Sequence, residues 1–356
     1  SYSVTGVQTC ALPISPFIRP SFPMRKGFTT GTAAAAAAKA HARFMTHQLS
    51  GDYVDVMLPD GKTLGIPVVC GLHGAMVIKD AGDDPDVTHG AAVWARVELS
   101  EDDTGIHIVG GEGVGVVTRP GLQVPVGQAA INPVPRAMIE ANVRTEIGPD
   151  RGAVVTVSVP DGKRLAERTF NARLGIEGGI SIIGTTGIVE PMSVQALVDT
   201  IRCEIDVQLA ESHPITLVPG KIGEKYLQAL RPETQAILVS NAFDEALAYL
   251  RQRKVVEITI AGHPGKLAKL AMGCYNTHSN ASPQAQNFVA SVLGLGKSFN
   301  TVEEICQSYP AVFAPVAGLI AERVRVDYGF ARVEVLLFEM QGALLASYPP
   351  TNSGDL

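Results

Sequence analysis

The sequence predicts an α/β protein of two domains. The first is an α+β N-terminal domain with antiparallel hairpins, and the second a C-terminal Rossmann-like three-layer α/β/α domain with a parallel sheet. Three observations carry this. The chain has 356 residues, enough for two domains. Its first half holds two Asp-Gly turns between apolar runs, the signature of hairpins. Its second half alternates short apolar runs with helical patterns, which implies parallel strands joined by right-handed crossovers. The domains are expected at 24–190 and 191–356, with the boundary between 171 and 213.

In chain order, residues 1–23 are set aside. Residues 4–14, VTGVQTCALPI, read like the translation of a sequencing adapter, and Met24 is the expected natural start. Thr32 then caps a helix over Ala33–Ala38, Lys39, Ala40, His41, Ala42 and Arg43, made of the best helix formers. An all-alanine face implies close packing. The first hairpin joins Val54–Leu58 to Leu64–Val69 through Pro59-Asp60-Gly61-Lys62. The second joins Val154–Val159 to Leu165–Phe170 through Pro160-Asp161-Gly162-Lys163, and the likeness hints at an internal repeat. Met76–Ile78, Ala91–Leu99 and Gly105–Val109 read as strands, and Pro135–Val143 as a helix. Further on, Ile215–Val218, Ala236–Ser240 and Val255–Ala261 read as strands. Helices are expected at Ile222–Leu230, at Phe243–Arg253 behind an Asn241 cap, and from Leu267. Helices near 284–294, 301–307 and 315–325 and a hairpin over 332–348 complete the chain.

Composition narrows the function. Charged residues are 18% of the chain and the net charge is −6, with no basic field. A general nucleic-acid binder is therefore not expected. No uncharged run is apolar enough to span a bilayer. Five cysteines without a CxxC pair fit reduced thiols in a cytoplasmic protein rather than a disulfide or zinc framework.

Four segments can carry chemistry. Gly262-His263-Pro264-Gly265-Lys266 follows a strand and opens a helix, where ligands of open α/β sheets bind. Its glycines let backbone approach a ligand, and the free helix N–H groups favour an anion. The same residues also read as a plain tight turn. The loop from Lys79 to His89 gathers four carboxylates and an imidazole. Such oxygens suit a hard cation, but Pro85 and the missing twelfth-position glutamate exclude an EF-hand, and a capped turn or a polar-ligand contact fits as well. Gly110–Gly121 is glycine-rich, yet Pro120, Pro125 and Pro133 exclude the helix that a dinucleotide fingerprint needs. Gly178–Pro191 reads as an apolar strand ending in Gly184-Thr185-Thr186-Gly187, whose hydroxyls suit a carboxylate or a ribose. Thr277-His278-Ser279 is placed to border the Gly262 pocket. No Ser-His-Asp order, HExxH or Walker lysine loop is present.

Together these segments resemble the CbiD family, the cobalt-precorrin-5B C(1)-methyltransferases of anaerobic cobalamin biosynthesis. The resemblance rests on Gly27-Phe28-Thr29-Thr30-Gly31-Thr32 with its alanine helix, Lys79–Gly90, Gly110–Gly121, Asn132-Pro133-Val134-Pro135, Asn171–Ser193 and Gly262–Ser279. It runs in order from Arg25 to the C-terminus. One departure is Ala33, where the family usually has cysteine, so no role for a thiol there is carried over.

The resemblance implies an S-adenosylmethionine (SAM) dependent enzyme that methylates C-1 of a cobalt-bound tetrapyrrole to give cobalt-precorrin-6A. The cobalt arrives inside this corrinoid substrate, so no protein-bound metal is expected. Methyl transfer needs positioning and desolvation more than a covalent nucleophile. Gly262, His263, Gly265, Lys266, Thr277 and Ser279 are the candidate SAM contacts. Thr29, Thr30, Arg119, Arg136 and Arg173 are the candidates for the carboxylated substrate, with Lys266 as a further cation. Asp83, Asp84, His89, Thr185, Thr186, Glu190 and His278 are the acid–base candidates. The alanine helix would also suit a homo-oligomer contact. Rival classes are a corrinoid carrier without turnover and a nucleotide-dependent enzyme using Gly262–Lys266 for phosphate.

Overall fold

The computed structural model describes residues 24–350, and its contacts divide the chain into two units between Ser193 and Val194. The adapter-like segment therefore lies outside the described residues.

The first unit begins with β1 (Gly27–Phe28), α1 (Thr30–His47), β2 (Tyr53–Met57), β3 (Thr63–Pro67), β4 (Val69–Gly71) and β5 (Gly74–Ile78). It continues with β6 (Ala92–Ser100), β7 (Ile106–Gly110), β8 (Val116–Val117), α2 (Pro133–Ile147) and β9 (Gly152–Ser158). It ends with α3 (Gly162–Ala166), β10 (Ile176–Glu177) and β11 (Ile188–Val189). The principal sheet has the order β4-β5-β6-β9-β7. Val93, Ala95 and Val97 of β6 are buried, while Trp94, Arg96 and Glu98 face outward, the two-residue period of a sheet covered on one face. What covers it is α1, which packs on β5 and β6 and against α2. Ala33–Ala38 have no exposed surface. A helix enclosed on all sides can approach all its neighbours closely when its side chains are methyl groups.

Several details differ from the sequence expectation. The cap of α1 is Thr29, whose Oγ1 accepts from the Thr32 N–H at 3.2 Å. Thr32 lies inside the helix and donates its hydroxyl to the Gly187 carbonyl at 2.7 Å. The second Asp-Gly hairpin does not form: residues 162–166 are the helix α3. The reason is non-local. Strand β9 pairs with β6 on one side and β7 on the other, so neither edge is free for a hairpin partner. The β7–β9 pair is also parallel, so this half is not purely antiparallel. The expected strand in Gly178–Pro191 reduces to the bridges Val114–Ile180 and Ile131–Ile182 and the short β11.

The second unit opens with α4 (Val194–Ala210), which the sequence reading missed. There follow β12 (Thr216–Val218), α5 (Lys221–Leu230), β13 (Ile237–Leu238), α6 (Phe243–Gln252), β14 (Glu257–Gly262) and α7 (Pro264–Ala271). The remainder is α8 (Gln286–Val292), α9 (Val302–Ser308), α10 (Ala314–Tyr328), β15 (Arg332–Phe338) and β16 (Leu344–Tyr348). The sheet order is β13-β12-β14-β15-β16, parallel except for the edge strand β16. Successive residues serve opposite layers. Val333, Val335 and Leu337 of β15 join a core with α4, α6, α7 and α10, while Leu336 and Phe338 join one with Leu227 of α5. This is the expected three-layer α/β/α arrangement. Helix α7 starts at Pro264, three residues before the expected Leu267, because proline at the first helical position needs no N–H partner. Asn241 does not cap α6, which begins behind Ala242; its side chain accepts from Thr277 Oγ1 instead.

Candidate active site

In the second unit the chain runs from β12 outward to β13 and then returns past β12 to β14, so the strand order reverses between β12 and β14. Open α/β sheets bind ligands at the carboxyl ends of the strands flanking such a reversal. Two turns meet there, Pro219-Gly220 and Gly262-His263. Gly262 has φ +154°, and a Cβ on it would stand 2.9 Å from Pro219 Cδ. A Cβ on Gly223, in the first turn of α5, would lie 3.4 Å from Gly262 Cα. The glycines thus permit the close approach of the two turns, with the starts of α5 and α7 beside each other.

His263 caps α7: its Nδ1 accepts from the Gly265 N–H at 3.0 Å. That assignment leaves the proton on Nε2, which donates to Glu303 Oε2 at 2.8 Å. Cys306 Sγ lies 3.8 Å from the same Nε2, and burial pushes its thiol up to about 12. Lys266 stands in the first turn of α7, half-buried, and its ammonium has no hydrogen-bond or ion-pair partner among the described residues. Burial, with a smaller contribution from Lys269, pulls its ammonium down to about 8. A cation at the positive end of a helix without a counter-charge is electrostatically unfavourable, and an anionic ligand would relieve it. The buried Lys269 donates to the Thr277 carbonyl and to Ser282 Oγ, both at 2.9 Å. The Thr277 N–H donates to the Asn241 carbonyl at 3.0 Å. Gly262, His263, Gly265, Lys266 and Thr277 therefore belong to one framework at this sheet edge. His278 accepts the Asn280 N–H on Nδ1 at 3.1 Å, and Ser279 is exposed.

In the first unit, pairing of β1 with β11 and the Lys26–Gly82 bridge bring the other candidates into one neighbourhood. Most of their polar atoms are engaged there. Asp83 Oδ2 accepts from the Arg25 N–H at 2.6 Å and Asp84 Oδ1 from the Met192 N–H at 2.8 Å. His89 Nδ1 accepts from the Ala81 N–H at 3.1 Å. The Arg25 guanidinium pairs with Asp80 and holds its carboxyl down at about 2. Buried Lys79 pairs with Asp86 at 2.6 Å. The carboxylates of this acidic loop are taken up by N–H groups inside the loop and by those of Arg25 and Met192 outside it. Glu190 accepts from Lys26 Nζ at 2.5 Å, and Thr186 exchanges hydrogen bonds with the Ile188 backbone. Thr185 is exposed. Thr29 caps α1, and Thr30 Oγ1 donates to the Ile183 carbonyl and accepts from its N–H; both threonines are buried.

Arg119 donates to the Arg173 carbonyl at 2.9 Å, and both side chains are half-buried. Arg136 is a brace: its nitrogens donate to the carbonyls of Ile131, Ile108 and Ala129. A cleft of about 280 Å³ on the open face of the sheet is lined by His73, Trp94, Arg96, Glu112, Thr156 and Ser158, none of them singled out from the sequence.

A family model described as CbiD matches residues 18–191. A cobalt-precorrin-5B C(1)-methyltransferase of Moorella thermoacetica is 44% identical over 290 residues, covering 79% of each chain. One from Alkaliphilus metalliredigens is 40% identical over 91% of this chain and 92% of its own. One from Methanocaldococcus jannaschii is 38% identical over 90% and 96%. The chain belongs to the CbiD family. A crystal structure of a cobalamin biosynthesis protein, CbiD, from Archaeoglobus fulgidus is 31% identical over 71% of this chain and 82% of that one, with a TM-score of 0.41.

Three features of this CbiD chain escaped the sequence reading. Pro219-Gly220 is the second wall of the sheet-edge crevice, legible as a turn but not as a partner of Gly262. Glu303 and Cys306 reach His263 from α9. Their three-residue spacing puts both on one helix face, yet nothing in the sequence ties that face to a histidine 40 residues earlier.

Proposed function

We propose that this chain transfers a methyl group from SAM to C-1 of cobalt-precorrin-5B, giving cobalt-precorrin-6A in anaerobic cobalamin biosynthesis. The observation that carries this is the set of relatives bearing that activity in their names at 37–45% identity, several of them matched over nine-tenths of both chains. Bound SAM would supply an activated methyl group as its sulfonium, and the turn residues Gly262, Gly265 and Lys266 would hold it. The protein's part is to bind, orient and exclude water. The close approach of Pro219-Gly220 to Gly262 and the partnerless Lys266 fit a donor with an adenosine body and a carboxylate. We assign the donor to this edge, with Lys266 facing the carboxylate and Thr277, His278 and Ser279 bordering it.

For the carboxylated macrocycle we retain Arg119 and Arg173 as contacts, while Arg136, committed to three carbonyls, acts as a brace. The exposed Thr185, next in the chain to Thr186, is our candidate for orienting the ring. Methyl transfer asks for no metal held by the protein. No helix among the described residues is long and apolar enough to cross a membrane. We place the reaction in the cytoplasm, in keeping with the free thiols of Cys70, Cys203, Cys274 and Cys306.

The test is an anaerobic incubation of protein starting at Met24 with cobalt-precorrin-5B and isotopically labelled SAM, read by mass spectrometry. One labelled methyl at C-1 is the expected outcome. Tight corrinoid binding without transfer would overturn the enzyme reading in favour of a carrier.

A further inference from the structure

We infer that His263 Nε2, Glu303 Oε2 and Cys306 Sγ form a binding site for a zinc-class divalent metal ion, independent of the cobalt carried by the substrate. One donor atom from each of the three residues lies within 4.8 Å of those of the other two. Nε2 is 2.8 Å from Oε2 and 3.8 Å from Sγ. Tetrahedral zinc with ordinary bond lengths places a nitrogen about 3.3 Å from an oxygen and about 3.6 Å from a sulfur. The nitrogen–oxygen edge must open by about half an ångström and the nitrogen–sulfur edge close by about 0.2 Å. They come from two elements packed on one core, the β14–α7 turn and one face of α9.

The thiol is fully buried at the floor, while the imidazole and carboxylate are 22% and 24% exposed and give access from one side. One sulfur, one nitrogen and one oxygen select zinc or cobalt(II) over calcium or magnesium, which take oxygen cages. Three protein donors are also the number found where a fourth place is left to water or substrate.

Protons balance as follows. The thiol gives up its proton to solvent, and the imidazole proton passes from Nε2 to Nδ1. The carboxylate enters already ionised, so one proton is released per ion bound. The ring then no longer accepts the Gly265 N–H, so an occupied site and a capped α7 exclude each other. Metal loading should therefore loosen the Gly262–Lys266 turn.

The experiment is titration of the untagged, metal-free full chain with cobalt(II). We expect a thiolate-to-cobalt charge-transfer band that saturates at one equivalent and is displaced by zinc. Cys306→Ser should abolish the band. Because that residue is in the core, Glu303→Gln, on the exposed side, provides a second arm: the folded variant should bind cobalt at least ten- to a hundredfold more weakly, the range seen for lost metal-site partners. Absence of the band at stoichiometric cobalt overturns the inference. So does a band that persists in Cys306→Ser, which would belong to another thiol, or an affinity unchanged in Glu303→Gln.

Discussion

Lys269 Nζ lies 2.9 Å from the Thr277 carbonyl oxygen, inside a buried contact that also takes in Ser282. The second turn of α7 thus holds the 276–282 loop at the same sheet edge as the Gly262 turn. Replacing Lys269 with Met keeps the stem but removes both hydrogen bonds, leaving acceptors unsatisfied at about 1–3 kcal/mol. We expect a lower urea midpoint and faster amide exchange confined to 276–282. Uniform loss of protection throughout the second unit would contradict this anchoring role.

Gly262→Ala tests the crevice. The positive φ and the 2.9 Å approach to Pro219 Cδ would separate the two turns, at a cost of about 1–3 kcal/mol. SAM affinity should fall while corrinoid binding is retained, as calorimetry on each ligand would report. Gly265→Val should act likewise by displacing the His263 ring, which lies 2.9 Å from a Cβ there. SAM binding undiminished in both variants would remove the donor from this edge.

Lys266 predicts opposite effects on stability and binding. Its folded value, about 8, is below the ordinary 10.5. Below pH 8 the lysine is charged in both folded and unfolded states, and the folded state bears the full burial cost. Between pH 8 and 10.5 the folded state sheds its proton first, so this group makes stability rise with pH. Lys266→Met should therefore raise Tm at pH 7. It should also weaken SAM binding and remove the loss of affinity expected in the wild type above pH 8. A lower Tm with unchanged binding would refute both halves.

The buried Lys79 pairs with the partly exposed Asp86 under the acidic loop. Asp86→Asn leaves the buried lysine charge uncompensated; breaking a fully buried pair costs about 3–5 kcal/mol, and the solvent access of Asp86 puts the cost here at or below the low end of that range. The Lys79 ammonium and the Thr88 hydrogen bonds hold the Asp86 carboxyl below its ordinary value despite its burial. Its contribution is full above that ordinary value and is lost as pH falls through the folded one. Acid unfolding should shift to higher pH in Asp86→Asn, while kcat per folded molecule stays unchanged. A fall in kcat with stability intact would make the loop catalytic instead.

Most of the secondary structure was legible because it depends on local rules. Thr32 and the alanine run announce a buried, capped helix, and the structure moves the cap to Thr29. The Pro59-Asp60-Gly61-Lys62 turn announces a hairpin that does form. The same turn at Pro160-Asp161-Gly162-Lys163 fails because β9 is already paired on both edges, and pairing is not a local property. Helix α4 lies in the 171–213 stretch between the two sequence patterns, where neither an Asp-Gly turn nor a strand–helix alternation marks it.

For the site, the Gly262–Lys266 turn was readable as a place where backbone can meet a ligand, and the structure sets it at a strand-order reversal. The roles of individual side chains were not readable. Arg136 looks in sequence like a substrate cation, but in the fold it braces three carbonyls. Asp83, Asp84 and His89 look like acid–base groups, but each accepts a backbone N–H.

By itself the sequence determined the α/β class, the family and the turn chemistry, because residue pattern and backbone preference act over a few residues. Only the tertiary structure decided which side chains stay open to a ligand. It left the Lys266 ammonium without a partner among the described residues, opposed Gly262 to Pro219, and set His263 against Glu303 and Cys306. Those outcomes depend on which distant segments occupy the neighbouring volume, and that follows from packing the sheet and its helices together.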